Sequence, residues 1–326
     1  VYRRILNSCF AELPGVEVVG TAPSLACARD KLSNEVIDLV SIDVVMREES
    51  GLDLLPWLRE TRPRIVSVLI TSGNVQGASE TVDALLLGAT ALIRKPGGAD
   101  ARQKLVAALS DVVAGLPLLR LQQARGSQPI PPREKAEPKP RSVIAVGAST
   151  GGPPVVLQFL KQLPRDFQVP ILLTQHMPAL HMPYYVAMLA KESGRAVFLA
   201  EHGQAVQPGT VHVAGGARHM RVRRTGGQLV IMQDDGPEEH YCKPAVDPMF
   251  RSIAEACGAD TVGVVMTGMG SDGALGSVAL RRRGAPVVIQ DRETSVVWGM
   301  PGAVAAAGAA CENVPGNDLA QAVLRW

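Results

Sequence analysis

Apolar runs of strand length alternate with amphipathic stretches of helix length on both sides of a single interruption. Ahead of it, Arg3–Glu12 carries a helical apolar period and Val16–Thr21 alternates like a strand. Ser24 stands as an N-cap before a helix reaching Ser33. Asp38–Asp43, Arg64–Thr71 and Ala89–Arg94 then read as buried strands, with helices over Leu52–Glu60, Ala78–Leu87 and Ala99–Ala114. Beyond the interruption the alternation resumes with strands at Ser142–Gly147, Pro170–Thr174, Thr210–Ala214, Gln228–Met232, Thr261–Thr267 and Pro286–Gln290. A helix is expected over Pro154–Gln162, and others lie between most of the later strands. Strands separated by helices predict parallel sheets joined by right-handed crossovers, so both parts are α/β.

The interruption is Gln128–Arg141, with five prolines in fourteen residues and no apolar period. Such a segment buries too little surface to fold and runs as an extended tether. It sets the expected boundaries: 1–118, a linker over 119–141, and 142–326. The length of 326 residues also suits two domains. Charge agrees with the division. Residues 119–141 hold 6 Lys and Arg against 2 Asp and Glu, while 142–326 hold 15 of each, so the net +2 is a linker property. No folded part carries the basic face that a nucleic-acid binder needs, and Arg281-Arg282-Arg283 reads as a helix C-terminus. Apolar residues at 46% and charged residues at 20% describe a globular protein, and no run of about eighteen apolar residues spans a membrane. No secretory leader is visible at Val1-Tyr2-Arg3-Arg4, so a cytoplasmic protein is expected. The five cysteines are scattered without a Cys-x-x-Cys pair and read as buried or idle thiols.

Working groups of an open parallel sheet collect at the carboxyl ends of its strands. In the first part these ends carry Asp43, Thr71 and Lys95, and Lys95 precedes Pro96 in a candidate cis bond. A carboxylate, a hydroxyl and an ammonium converging there could accept and hold a phosphoryl group. Each alone has a plainer reading as a cap or a surface charge.

In the second part, Ser142–Gly152 is a strand running into a Gly-rich turn and a helix. One reading is a phosphate-cradling loop, but Ser149 stands where a dinucleotide fingerprint needs its middle glycine. The other is Gly147-x-Ser149-x-Gly151, a nucleophile elbow whose helix N-terminus faces an oxyanion. A serine nucleophile needs a base and the base needs a carboxylate. The strand Pro170–Thr174 delivers His176 to the same rim. The strand Thr261–Thr267 leads to Asp272, which beside Gly273 has the plainer reading of a turn residue. Asp247 is the main rival carboxylate and Asp291 a weaker one. His/Asp/Glu clusters with metal-ligand spacing are absent.

The motifs GASTGG, LLTQHMP, VDPMF, TGMGSDGA and WGMP, in that order from Val143 onward, resemble the catalytic domain of the chemotaxis protein-glutamate methylesterases, the CheB family. SIDVVMREESGLDLL and ATALIRKP resemble the phosphoacceptor loop and the Lys-Pro ending of a response-regulator receiver, over about residues 1–115. The resemblance implies two doubly wound α/β domains, a flavodoxin-like receiver and a Rossmann-like esterase. It implies a Ser149–His176–Asp272 triad, with the backbone amides of Met269 and Thr150 as the oxyanion hole. The implied reaction is demethylation of glutamyl methyl esters, and deamidation of glutamines, on methyl-accepting chemoreceptors. Asp43 would be the phosphoacceptor, served by a chemotaxis-type sensor histidine kinase, with Thr71 and Lys95 as switch residues. In the family the unphosphorylated receiver represses the esterase. The chain is expected to be a monomer, with no cofactor for the esterase.

Two departures stand out. The family's first strand ends in an acidic pair that holds Mg²⁺ together with the phosphoacceptor, here Asp43. This chain begins after that point, so the metal site lacks most of its charge. The family's Met-Pro is also Met46-Arg47 here. A chain missing its first strand is expected, a degenerate receiver being the alternative. An esterase of the same mechanism on another substrate, and a non-enzymatic docking or cofactor-binding module using Gly147–Gly152, are the other function classes. A serine-reactive probe on Ser149 separates the latter.

Overall fold

The computed structural model describes residues 2–44, 46, 49–62, 65–71, 82–85, 87–98, 100–124 and 141–326. The Pro-rich stretch up to residue 140 and half of the helix expected over Ala78–Leu87 lie outside them. The chain divides into two compact units, Val1–Arg120 and Leu121–Trp326.

The first unit is built on a parallel sheet ordered β1 (Leu39–Asp43), β2 (Val66–Thr71), β3 (Ala91–Arg94). Every residue of β2 is buried, as its nearly unbroken apolar run requires of a strand covered on both faces. The helix Tyr2–Phe10 packs Leu6, Cys9 and Phe10 into a core with Val68, Ile70, Leu105 and Leu109. Ser24 caps the helix Leu25–Asn34, its hydroxyl accepting from Cys27 N at 3.4 Å. The strand expected at Val16–Thr21 is not one. It enters no ladder among the described residues, because β1 pairs only with β2 and a strand cannot satisfy its amides alone. The last helix, Ala101–Ala124, runs ten residues past its expected end.

The second unit carries a seven-stranded parallel sheet. Its order is β12 (Glu312–Val314), β11 (Val287–Gln290), β10 (Thr261–Val265), β4 (Val143–Ala148), β5 (Ile171–Gln175), β7 (Thr210–Val213), β6 (Ala196–Leu199). The order runs outward from β4 in both directions, so the sheet has its topological switch at β4, where ligands of open α/β sheets bind. The parallel expectation fails at Gln228–Met232. That segment belongs to β9 (Gln228–Asp234), which pairs antiparallel with β8 (His219–Thr225) in a separate hairpin. Gly226 and Gly227, at φ 57° and 83°, supply the left-handed turn that a two-residue hairpin loop needs. The helix Val246–Cys257 lies between hairpin and sheet, burying Met249, Phe250 and Ile253 with Ile231 and Val265. The helix Ala274–Arg282 does end in the arginine run. No helix among the described residues is long and apolar enough to cross a membrane.

Candidate active site

The sheet register brings three strand ends level. Ala148 on β4 pairs with Gln175 on β5, and Gly147 pairs with Val265 on β10. The next residue after β4 is Ser149 and the next after β5 is His176, while β10 leads into the loop holding Asp272. Gly151 caps the following helix, Gly152–Gln162, at φ 74°, and a β-carbon there would lie 2.5 Å from that of Val296. That left-handed, crowded corner turns the chain back sharply and leaves half-buried Ser149 at its apex. Ser149 N donates to Thr267 O at 3.0 Å. Buried Gln175 ties the two neighbouring strand ends together, its Nε2 donating to Ser149 O at 2.9 Å and His176 O at 3.1 Å.

His176 Nε2 lies 2.7 Å from Asp272 Oδ2. Asp272 is 1% exposed and takes three backbone donors besides: Val246 N at 2.6 Å, Asp247 N at 2.9 Å and Gly273 N at 2.8 Å. Burial alone would raise its pKa. The His176 hydrogen bond and charge and the amides of Val246 and Asp247 outweigh burial and hold the carboxyl below its usual value. For His176 burial works toward a lower pKa, but its contacts with Asp272 and Cys242 raise it to about 9. An imidazole so held has its Nε2 fixed on the carboxylate and its Nδ1 turned to the opposite side.

Beside Ser149, the backbone N–H groups of Thr150 and Met269 find no acceptor among the described residues. Gly268 packs so closely that a β-carbon on it would stand 2.8 Å from Ser149 Cβ. The Val297–Pro301 segment braces this loop, Gly268 N donating to Val297 O at 2.9 Å and Met300 N to Gly268 O at 2.8 Å. Two unpaired donors flanking a serine are what an oxyanion requires.

Residues 144–323 match the CheB methylesterase family, and residues 1–109 match the response regulator receiver domain. The chain belongs to the CheB methylesterase family. It is 37% identical, over 100% of its length and 92% of the relative's, to a protein-glutamate methylesterase/protein-glutamine glutaminase of Anaeromyxobacter dehalogenans. Against that of Trichodesmium erythraeum it is 33% identical, over 100% and 96%. Among solved structures, the CheB methylesterase catalytic domain of Thermotoga maritima superposes with a TM-score of 0.55 at 32% identity, covering 57% of this chain and 98% of that one.

Within this CheB-family framework two further side chains meet the charged groups of the site, Cys242 and His240. The cysteines read as buried or idle thiols, yet Cys242 is half-buried and its Sγ lies 3.5 Å from His176 Nδ1. Among the described residues no hydrogen bond joins Ser149 Oγ to His176. His240 pairs through Nε2 with the rival carboxylate Asp247 at 2.8 Å, and Ser271 Oγ lies 3.3 Å from its Nδ1. Burial raises the Asp247 carboxyl, as does the charge of Asp272 beside it, against the Gly276 amide and His240. No local sequence signal announces either contact, because the loop after β9 returns to the rim only in the folded chain. Asp291 instead caps its own turn, accepting from Thr294 N at 2.9 Å.

His240, Asp247 and Asp272 are the one grouping of three metal-ligand side chains among the described residues. Their oxygens are already committed. Asp247 Oδ1 accepts from Gly276 N at 2.6 Å and Oδ2 faces His240, while both Asp272 oxygens hold two donors each. The arrangement is a hydrogen-bond network with no open ligand set.

In the receiver unit, Lys95 Nζ bridges both Asp43 oxygens, at 2.9 and 2.7 Å, and sits 4.6 Å from the centre of the Tyr2 ring. Buried Thr71 ends the strand between them, and its carbonyl accepts from Lys95 N at 2.7 Å. The three expected residues are therefore together. The Lys95–Pro96 bond is not cis; among the described residues that bond is Lys243–Pro244. Asp43 belongs to no grouping of three metal ligands among the described residues, and its carboxylate is occupied by Lys95. Among the described residues this donor set does not fit Mg²⁺.

Proposed function

We propose that this chain is a serine esterase and amidase that demethylates glutamyl γ-methyl esters, and deamidates glutamines, on methyl-accepting chemoreceptors. The observation that carries the reading is the His176–Asp272 pair held beside Ser149 at the sheet's switch point, in a chain similar along its whole length to enzymes of that name.

Ser149 is the nucleophile. His176 Nδ1 accepts the hydroxyl proton as Oγ attacks the γ-carbonyl, and Asp272 steadies the resulting imidazolium. The amides of Thr150 and Met269 receive the oxyanion. The imidazolium returns the proton to the leaving group, which departs as methanol or, from a glutamine, as ammonia. Water, deprotonated by the same imidazole, then hydrolyses the acyl-enzyme to glutamate and free Ser149. Before the first transfer His176 Nδ1 exchanges its Cys242 contact for Ser149.

Regulation follows from the receiver unit. Asp43 takes a phosphoryl group from a chemotaxis-type sensor histidine kinase, and the group's new charge replaces the carboxylate in the Lys95 contact. The protein works as a cytoplasmic monomer.

Replacing Ser149 by Ala tests the reading. The folded variant, checked by circular dichroism, is expected to release methanol from methylated receptor membranes about 10⁴-fold more slowly than the parent. Near-normal release would overturn it. Release from small methyl esters but not from receptor membranes would keep the mechanism and move the substrate.

A further inference from the structure

The geometry points to Cys242 as a covalent modification site, a thiol activated by His176 that a hydroperoxide oxidises to a sulfenic acid, closing the esterase by holding its base. The effect on activity rests on the esterase reading above; the chemistry at sulfur does not.

Cys242 is one end of a thiol–imidazole–carboxylate chain. Its Sγ lies 3.5 Å from His176 Nδ1, and Asp272 fixes the opposite ring nitrogen at 2.7 Å. That is the arrangement by which an imidazole takes a thiol proton and leaves a nucleophilic thiolate beside an imidazolium. The thiol is held in place from several sides. Glu239 and Cys242 exchange backbone hydrogen bonds at 3.2 and 2.9 Å, and Arg251 Nη2 donates to Glu239 Oε1 at 2.5 Å. Lys243 Nζ donates to Asp235 Oδ1 at 2.8 Å, and His240 pairs with Asp247. The neighbouring Tyr241, at φ 60°, is 98% exposed, so the turn stands in solvent and half-buried Cys242 is within reach of a small reagent.

The other four cysteines differ. Cys9, Cys257 and Cys311 are buried, and burial pushes the Cys257 thiol up. Cys27 is partly exposed on the helix Leu25–Asn34. Among the described residues none of the four has an imidazole partner. Reactivity toward oxidants follows thiolate character and access together, and Cys242 alone combines an imidazole with an open approach.

In the reaction the Cys242 proton passes to His176 Nδ1. The thiolate sulfur attacks the terminal oxygen of the hydroperoxide, and the S–O bond forms as the O–O bond breaks. Sulfur gives up two electrons and the peroxide is reduced. The departing alkoxide or hydroxide takes the proton from the imidazolium and leaves as alcohol or water. The new sulfenic oxygen lies where it can hydrogen-bond Nδ1, the atom Ser149 needs. A small thiol displaces that oxygen as water, forming a mixed disulfide, and a second thiol regenerates Cys242.

The test treats the full-length protein with hydrogen peroxide, traps sulfenic acid with dimedone, and maps the adduct by peptide mass spectrometry while methanol release is followed. In samples quenched with dimedone the parent is expected to carry the adduct on Cys242 in step with its loss of activity, and in parallel samples without dimedone to recover activity with dithiothreitol. Cys242→Ser, scored against its own untreated rate, is expected to show neither the adduct nor the peroxide-dependent loss. His176→Asn is expected to slow labelling of Cys242 about tenfold, and Ser149→Ala to leave labelling unchanged. Labelling at another cysteine ahead of Cys242, or equal labelling in His176→Asn, overturns the proposal. A parent that labels at Cys242 yet releases no methanol before treatment fails the esterase reading and leaves the thiol site standing.

Discussion

Asp272 Oδ2 accepts from His176 Nε2 at 2.7 Å while the same carboxylate takes the backbone amides of Val246, Asp247 and Gly273. The residue that orients His176 is thus also the N-terminal anchor of the helix Val246–Cys257. One buried charge holds both the imidazole and the start of the helix.

Asp272→Asn therefore costs both. The amide group presents N–H donors to backbone N–H donors and removes the imidazolium's counter-charge. Turnover is expected to fall about 10⁴-fold, and breaking the buried pair to destabilise the unit by about 3–5 kcal/mol. Methanol release and urea unfolding measure the two. Full stability with lost turnover would show that the amides of Val246 and Asp247 do not depend on the charge.

The pair also sets a pH dependence. His176 is raised from 6.5 to about 9, so its contribution to stability is complete below 6.5 and lost as pH climbs through about 9. Asp272 is lowered from 3.8, so its contribution is present above 3.8 and lost as pH falls through the depressed value. The stability difference between the parent and His176→Asn, read from urea midpoints, is expected to be largest between pH 3.8 and 6.5 and to shrink towards pH 9. Because the base must be neutral to act, kcat/KM rises over the same upper range. Cys242→Ala, which removes one of the contacts raising His176, moves that rise to lower pH; an unmoved profile would show that the thiol does not bear on the base.

Gly268→Ala tests the loop beside the nucleophile. The added methyl has Ser149 Cβ at 2.8 Å and the Met300 side chain against it, so the Gly268–Met269 backbone must shift. A displacement near 1 Å in a reacting geometry costs about 10²-fold in rate. The expected outcome is that loss with a near-parental melting temperature. Parental kcat would remove Met269 N from the oxyanion hole.

The receiver is tested through Asp43 and Lys95. A radiolabelled small phosphodonor is expected to label the parent and to speed methanol release, with Asp43→Asn doing neither. Lys95→Ala is expected to accept label without the rise in rate, because Lys95 is the group paired with the Asp43 carboxylate. Label in Asp43→Asn would place the phosphoacceptor elsewhere.

Much of this was legible in the chain itself. Continuous apolar runs such as Val66–Thr71 and Val143–Ala148 mark strands covered on both faces, and their carboxyl ends name Asp43, Thr71, Ser149 and His176 before any coordinate is known. Val16–Thr21 failed because alternation describes a strand's faces and says nothing about its neighbour. The hairpin β8–β9 failed the parallel expectation because the Gly226-Gly227 turn reverses the chain locally, which a coarse alternation of elements hides.

The sequence by itself determined the two α/β parts, the family and the candidates Ser149 and His176 at neighbouring strand ends, because periodicity and short motifs are local and survive without coordinates. Tertiary structure alone decided what surrounds them. It chose Asp272 over Asp247 by which carboxylate reaches His176, gave Asp247 to His240, and laid Cys242 against His176 Nδ1. Those contacts join residues 7 to 96 positions apart, and the distances between such residues are set by sheet register and loop return, which no local pattern encodes.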